Sequence, residues 1–484
     1  MAARRVVILG GGVTGLAVAH ALLRAGEACD ITVLERETHL GGNIRTLRRD
    51  GFVLDGGPDS WVATKPHATL LAKSLGLEPR FIPTIPANRR VYIAWGERLH
   101  PLPEGMVLGV PTEILPIVKT PLFTWGAKFR MGLEPFVARR AWTEGEDESI
   151  GDFVSRRLGA QVTERLAGPL LGGIFAGDAH ELSVVAAFPQ FVEAEKKHGS
   201  LVGAMRALRA ARRTGSGEGS AFLSLQGGLG EFIDALGAKV GARARVRLGT
   251  AARRVDARGE RAAEGYRVLL DTGEALEADD VVLALPLAVA AEVARTLDAP
   301  LGEALGAFTA ASTATAFLAF PASAIPRPLD AAGFLVPRSA RKSILAATWV
   351  SSKWDHRAPE GSVLLRVFFG GATDEGILER DDAGLVALAR EELRRWMGVE
   401  AAPLFSHVFR FHRASPQPRV GHLARVAAVK AKLARWPGLH VAGNGFEGSG
   451  IPDCVKFAEA VAAAIGARPR AREVAPEGRR GSPD

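Results

Sequence analysis

The sequence predicts an α/β fold spread over several domains, and three observations lead to it. Near its start the chain carries VVILGGGVTGLA, an apolar run followed by clustered glycines and a helical stretch. A similar order, strand then glycine turn then helix, returns near the end in LHVAGNGFEGSGIPDCVKF. The length of 484 residues exceeds what one hydrophobic core serves, since single cores stop growing near roughly 250–300 residues.

Taken in order, Val6 to Leu9 form a short apolar run of the buried-strand type. GLAVAHALLRAG then reads as a helix that stops at Gly26, and DITVLE as a second strand, so the unit is a βαβ with parallel strands. From Arg98 to Phe136 prolines recur between apolar clusters, with Lys119, Lys128 and Arg130 among Leu, Phe and Trp. That composition fits short helices in a core, or a surface touching lipid with cations at the headgroup level. RRTGSGEGS at 212–220 reads as a flexible loop, and FLSLQGGLGEFIDALGAKV as a strand, a turn and a helix. A hairpin at Asp271, Thr272 and Gly273 leads into a buried-type strand from Val281 to Leu285. No repeat of fixed period is visible, which excludes a solenoid.

The balance of 47% hydrophobic and 24% charged residues belongs to a folded chain, not a disordered one. The net charge of +8 leaves room for an acidic partner, but part of it sits in the arginine-rich end at 468–484, read as disordered. No nucleic-acid recognition motif accompanies it, so nucleic acid is not expected as a partner. Cys29 and Cys454, the two cysteines, lie far apart and point to a reducing compartment, the cytoplasm. The opening residues imitate a signal peptide, yet glycines interrupt the apolar run, and no signal is expected. Nor is a spanning helix, which needs about 18 apolar residues in succession.

Gly10, Gly12 and Gly15 stand between the first strand and the first helix, and that context lifts a common G-x-G-x-x-G above chance. The first glycine makes the turn, the second admits a pyrophosphate to the backbone, and the third packs helix on strand. The helix start then aims free N–H groups and a positive dipole end at the phosphates. Glu35, at the end of the second strand, is placed to accept hydrogen bonds from both hydroxyls of an adenosine ribose and to repel a ribose phosphate. An unphosphorylated dinucleotide follows, NAD or FAD.

Past this motif come Gly41, Gly42 and Arg45 in THLGGNIRT, then Gly56, Gly57 and Pro58 in LDGGPDSW. Here the chain resembles the flavin amine oxidase superfamily, whose fingerprint continues as G-G-x-x-R. The resemblance implies FAD held noncovalently, with Arg45 at the pyrophosphate and the later turn near the isoalloxazine. The expected cofactor residues are Gly10, Gly11, Gly12, Thr14, Gly15, Glu35, Arg36, Gly42, Asn43, Arg45, Gly57, Pro58, Asp59, Ser60, Ala252, Asn444, Ser449, Gly450 and Ile451. Pro452 is expected at the first position of the last helix, whose positive end would stabilise charge on the reduced ring. Cys454 in its first turn reads as packing.

Within the superfamily the chain resembles the protoporphyrinogen and coproporphyrinogen oxidases over nearly its whole length. The segments are NRRVYI, GGIFAGDAHELSVVAAFPQFVEAEKKHGSLVGAM, GFLVP, LRVFFGGA, PQPRVGH and GNGFEGSGIPDC. The resemblance implies a Rossmann-type FAD domain of the glutathione-reductase-like kind (1–80, 222–290 and 436–467) and a mixed-sheet substrate domain (81–98, 186–221 and 291–435). It adds a helical, membrane-associated domain (99–185), with 468–484 a disordered tail. A porphyrinogen is a broad apolar macrocycle with propionates, so its pocket needs apolar walls and a cation. Arg90 is the expected cation, with Arg89 the neighbouring alternative, and Gly173, Leu335 and Phe368 match the family's contacts to the ring.

The reaction so implied is oxidation of protoporphyrinogen IX to protoporphyrin IX, with coproporphyrinogen III the alternative substrate and an amine oxidase the more distant one. In it a hydride leaves a meso carbon for the flavin, pyrrole protons are lost by tautomerisation, and dioxygen reoxidises the flavin to give hydrogen peroxide. No dedicated catalytic side chain and no metal ligand is assigned, and His198, His412 and His422 read as structural. The expected partners are the porphyrinogen, dioxygen, the cytoplasmic face of a membrane and a ferrochelatase that receives the product, with a homodimer left open. An amine cage usually needs two aromatic rings, often tyrosines, and the chain has only Tyr92 and Tyr266, the latter beside an exposed-looking hairpin. Family departures occur at Pro418, Ser449 and Pro452, where tyrosine, valine and asparagine are common.

Overall fold

The computed structural model describes residues 3–26, 28–107, 109–214 and 220–469. Most of the loop expected at 212–220 and of the tail expected at 468–484 lies outside the described residues. The chain divides into two compact units, one of Met1–Gly42, Ile233–Ala307 and Val426–Asp484, the other of Asn43–Phe232 and Phe308–Arg425.

The first unit is built on a five-stranded parallel sheet. Its order runs Arg245–Arg247, Cys29–Leu34, Arg4–Leu9, Asp280–Leu283, Leu439–Val441. Val6, Val7, Ile8 and Leu9 are buried, as a strand covered on both faces requires. Val6 pairs with Ile31 on one side and Asp280 on the other, which is the parallel βαβ the sequence predicts. The connecting helix Val13–Ala25 buries Leu16, Val18 and Leu22, packs on helix Ile451–Ala467, and ends at a left-handed Gly26. The strand read as Val281 to Leu285 ends two residues earlier, where the Ala284 amide, besides donating to the Leu9 carbonyl, turns back to the Val282 carbonyl at 3.2 Å. A three-stranded antiparallel sheet, Ala252–Ala257, Tyr266–Leu270 and Ala275–Ala278, carries the expected hairpin. Tyr266 is not at its surface as the sequence implied: the ring is fully buried and the hydroxyl donates to the Pro437 carbonyl at 2.9 Å.

The second unit holds a seven-stranded mixed sheet. The order is Phe405–Gln417, Thr309–Pro321, Ser362–Gly370, Ala346–Trp349, Gly333–Leu335, Tyr92–Trp95, Arg98–Pro101. One pair, Gly333–Leu335 with Tyr92–Trp95, is parallel and the rest are antiparallel. Helix Asp382–Met397 covers one face, where Leu385, Ala389 and Leu393 pack with Phe334, Val367 and Phe369. Because strand side chains alternate, Leu335, Arg366 and Phe368 fall on the opposite face.

The proline-rich stretch is part core and part exposed surface. Ile117, Leu122, Phe123 and Met131 join a helical core with Phe153, Leu158 and Phe191, while Ile114, Trp125, Phe129 and Phe136 are 70, 71, 71 and 84% exposed. A buried cluster of Glu134, Glu195 and Arg157 ties this core together, with Glu134 also accepting from Ser200 Oγ and the Leu201 amide. Burial opposes charge on Arg156, but Glu195 and Glu148 outweigh it and hold its pKa above the usual arginine value. Among the described residues no helix is long and apolar enough to cross a membrane.

Candidate active site

Parallel strands end on the same edge, and in the first unit the edge past Leu9, Leu34, Leu283 and Val441 carries the glycine turn, Glu35 and Asn444. Gly10 has φ +109°, and a Cβ there would lie 2.3 Å from the Ala284 carbonyl oxygen. One at Gly15 would lie 2.0 Å from the Gly10 oxygen, so helix and strand meet backbone to backbone. At Gly12 the same construction meets nothing within 4 Å: the middle glycine borders open space. Glu35 Oε2 accepts from the Gly11 amide at 2.8 Å and Oε1 from the Glu37 amide at 2.9 Å. Arg36 pairs instead with Glu37, at the surface. Gly41 donates to the Gly11 carbonyl at 2.9 Å, and a Cβ on Gly42 would stand 3.5 Å from Gly12 Cα, so the second glycine pair borders the first. At the far strand the Gly450 amide donates to Asn444 Oδ1 at 3.3 Å, ahead of helix Ile451–Ala467.

In the second unit, hairpin Thr46–Arg49 with Phe52–Asp55 brings Asn43 and Arg45 beside Gly56 and Gly57. The Gly56 amide donates to the Arg45 carbonyl at 2.8 Å, and a Cβ on Gly57 would lie 1.9 Å from the Asn43 carbonyl oxygen. The turn is pinned from below by Arg366, whose Nη2 donates to the Gly56 and Gly57 carbonyls at 2.5 and 2.7 Å, and by Thr315 Oγ1, which donates to Gly56 at 3.1 Å. Asp59 is held by Lys353 Nζ at 2.8 Å and Trp354 Nε1 at 3.1 Å. Burial raises its pKa, but Lys353 and Arg366 outweigh burial and hold it well below the usual carboxylate range. Asp55 is raised instead, burial prevailing over its ion pair with Arg357.

Strand register sets Ile93, Leu335, Ala346, Phe368, Thr315 and Phe409 opposite one another in a single row, hence on one face. Gly173, on helix Gly168–Phe175, approaches this row: a Cβ there would lie 3.1 Å from Leu335 Cδ2. Leu335 and Phe368 are only part-buried. Arg366 underlies Phe368, its guanidinium 4.4 Å from the ring centroid. The arrangement is an apolar strip beside a glycine turn, suited to stacking a flat ring.

Residues 13–466 match the family described as flavin containing amine oxidoreductase. The coproporphyrinogen III oxidase of Bacillus subtilis (strain 168) is 35% identical over 461 residues, covering 93% of this chain and 96% of that protein. The chloroplastic protoporphyrinogen oxidase of Oryza sativa subsp. japonica is 31% identical over 93% of this chain and 86% of its own length. A crystal structure from Exiguobacterium sp. 255-15 superposes with a TM-score of 0.85 at 33% identity, covering 96% of this chain and 99% of that one. The chain belongs to the porphyrinogen oxidase family of flavin-containing amine oxidoreductases. This porphyrinogen oxidase family member is an FAD oxidoreductase.

The edge of the first unit fits FAD on its own geometry: an open middle glycine, a carboxylate turned into the loop, and helix N-termini behind. Thr14 is buried in the first helix, and Ala252 opens the antiparallel sheet of the same unit. Ile451, not Pro452, is the first helical residue; Pro452 takes the second place, where its missing N–H is equally free of an intrahelical partner. Cys454 is buried and its thiol pushed up to about 11 by that burial, as packing requires.

The structure brings Gly173, Leu335 and Phe368 together but leaves Arg90 outside their row. Arg90 and Arg89 are exposed in the loop before strand Tyr92–Trp95, where burial and the hydrogen bond to Asp330 at 3.1 Å raise the pKa of the Tyr92 hydroxyl against the weaker opposing pull of Arg327 and Arg90. His198 and His412 are exposed, while His422 is buried edge-on against Phe308. Sequence reasoning missed Arg366, Thr315, Lys353 and Phe409. The signal for Arg366 was present in LLRVFFGG, an arginine two places before Phe368 inside an apolar strand and so on the same face.

Proposed function

We propose that this FAD oxidoreductase converts coproporphyrinogen III to coproporphyrin III, with dioxygen as the electron acceptor. The names of the bacterial relatives support this substrate over protoporphyrinogen IX, which the sequence ranked first. The observation that carries the reading is the row of Leu335, Ala346 and Phe368 under Gly173. Three adjacent strands give it a breadth of about 10 Å, and its apolar character suits a macrocycle face. FAD, when bound, supplies the acceptor for a hydride and a proton from each two-electron round. Three rounds remove six hydrogens from the porphyrinogen, and three dioxygen molecules become hydrogen peroxide.

The proposed roles of the chain are to hold and orient. Gly10, Gly11, Gly12, Thr14, Gly15, Glu35, Arg36, Gly42, Asn43, Arg45, Gly57, Pro58, Asp59, Ser60, Ala252, Asn444, Ser449, Gly450 and Ile451 are the proposed noncovalent contacts to FAD. Leu335 and Phe368 stack the macrocycle, Gly173 gives it a backbone contact, and Arg90 receives a propionate. Catalysis then rests on the alignment of a meso carbon with the flavin and not on a side-chain base.

The exposed Ile114, Trp125, Phe129 and Phe136, with Lys119 and Lys128 beside them, support peripheral contact with the cytoplasmic face of a membrane. Such contact suits release of the porphyrin to a ferrochelatase. The test of function is to follow porphyrin fluorescence in air with each porphyrinogen. Faster coproporphyrin formation, above the spontaneous rate, is expected. Faster protoporphyrin formation would restore the sequence's first choice, and neither would end the reading.

A further inference from the structure

Among the described residues, the buried cation that touches both the glycine turn and the aromatic row is Arg366. It is 5% exposed and sits in the middle of strand Ser362–Gly370. One nitrogen, Nη2, bridges the carbonyls of Gly56 and Gly57 at 2.5 and 2.7 Å. The same guanidinium lies 4.4 Å from the centroid of Phe368 and 5.3 Å from that of Phe317. Burial pushes its pKa down to about 10, while Asp59 and Asp55 favour the cation, so the group stays charged at neutral pH. A charge kept in such a place needs a compensating geometry, and here its partners are the turn and the rings. The turn has little freedom of its own: a Cβ at Gly56 would run into the Phe409 ring at 2.4 Å, and Thr315 holds the same carbonyl from the next strand.

We infer that Arg366 is a positioning residue that locks the Gly56–Gly57 turn to the Phe368 ring, so that the cofactor contact and the substrate contact move as one body. The inference rests on the proposed readings of Gly57 as a flavin contact and Phe368 as a macrocycle contact. Lysine can keep the charge and the ring contact but lacks the planar fork that spans two carbonyls. Methionine keeps the volume and loses both.

The test starts from apoprotein titrated with FAD, followed by quenching of flavin fluorescence, which needs no substrate. Arg366→Met is expected to weaken FAD binding about tenfold or more, and Arg366→Lys by less, from the loss of charge-assisted hydrogen bonds. A second arm measures kcat/KM in a cycle with Phe368→Leu. Arg366→Met is expected to cost about tenfold in the parent and under about threefold beside Phe368→Leu, because neighbours acting through one another are not additive. FAD affinity within twofold of wild type in folded Arg366→Met, or a strictly additive cycle, overturns the inference. Should Arg366→Met fail to fold, Thr315→Val removes a single hydroxyl from the same carbonyl. It is expected to shift FAD affinity about threefold in the same direction, and an unchanged value counts against the lock. Wild-type protein that binds FAD yet oxidises no porphyrinogen would sink the proposed function alone, since the FAD titration still decides the role of Arg366.

Discussion

The glycine turn of the first unit is held largely by backbone, whereas the row of the second unit that is proposed to stack the macrocycle is held by side chains. Around Gly10 the decisive contacts are carbonyls and amides: the Ala284 oxygen, the Gly10 oxygen against Gly15, the Gly41 amide on Gly11. Around Phe368 they are Arg366, Leu335, Thr315 and Phe409, carried on different strands. A backbone site tolerates almost no change at its packed glycines, Gly10 and Gly15, and depends on few side chains, Glu35 among them. A side-chain site distributes its tolerance, and each position carries a fraction of the whole.

The largest effect expected from this contrast is Gly15→Val, whose branched side chain collides with the Gly10 carbonyl. The variant is expected to purify without flavin, lacking the visible absorbance of the wild type even after incubation with excess FAD. Yellow protein would break the comparison. Next come two neighbours on one strand. Phe369→Ala, on the helix-covered face, is expected to cost about 3–5 kcal/mol in denaturant unfolding, with kcat/KM per folded molecule retained. Phe368→Ala is expected to reverse the pattern, lowering kcat/KM about tenfold for roughly 1–2 kcal/mol of stability. Equal effects on both measures would show that the two faces are not functionally distinct.

A smaller effect sharpens the choice between the two exposed arginines. Arg90→Ala is expected to raise KM for coproporphyrinogen about tenfold with little change in kcat, through loss of a carboxylate contact, and Arg89→Ala to change neither. The opposite order would move the propionate to Arg89. The smallest effect on the fold itself is expected from Phe136→Asp, within about 0.5 kcal/mol because the ring is exposed. Its association with anionic vesicles should nonetheless fall about tenfold, and unchanged co-sedimentation would remove this face from the membrane proposal.

The backbone half was legible because its rules are local. Strand, glycines, helix and a carboxylate at the end of the next strand lie within Val6–Glu35, and each of those elements stands within two residues of where the pattern put it. The side-chain half needed register. Nothing in the order of residues sets Leu335 opposite Ala346 and Ala346 opposite Phe368, and the resemblance alone singled out the two outer members. Arg366 escaped for a related reason: a charge inside an apolar run reads as a surface position until the facing turn is known to offer two carbonyls. Pro452 was misplaced by one residue, since helix starts are set by hydrogen bonding that a missing N–H does not disturb. Tyr266 looked exposed because its hairpin is polar at the tip, while its partner, the Pro437 carbonyl, is remote in sequence.

Glu35 carries a consequence for cofactor choice. Its two oxygens already clamp the amides of Gly11 and Glu37, so the residue proposed to meet the adenosine also splints the loop proposed to meet the pyrophosphate. Exchanging it for a base, the ordinary route towards a phosphorylated nucleotide, would unfasten the loop at the same stroke. Selectivity and scaffold are here one covalent group, and neither can drift without the other.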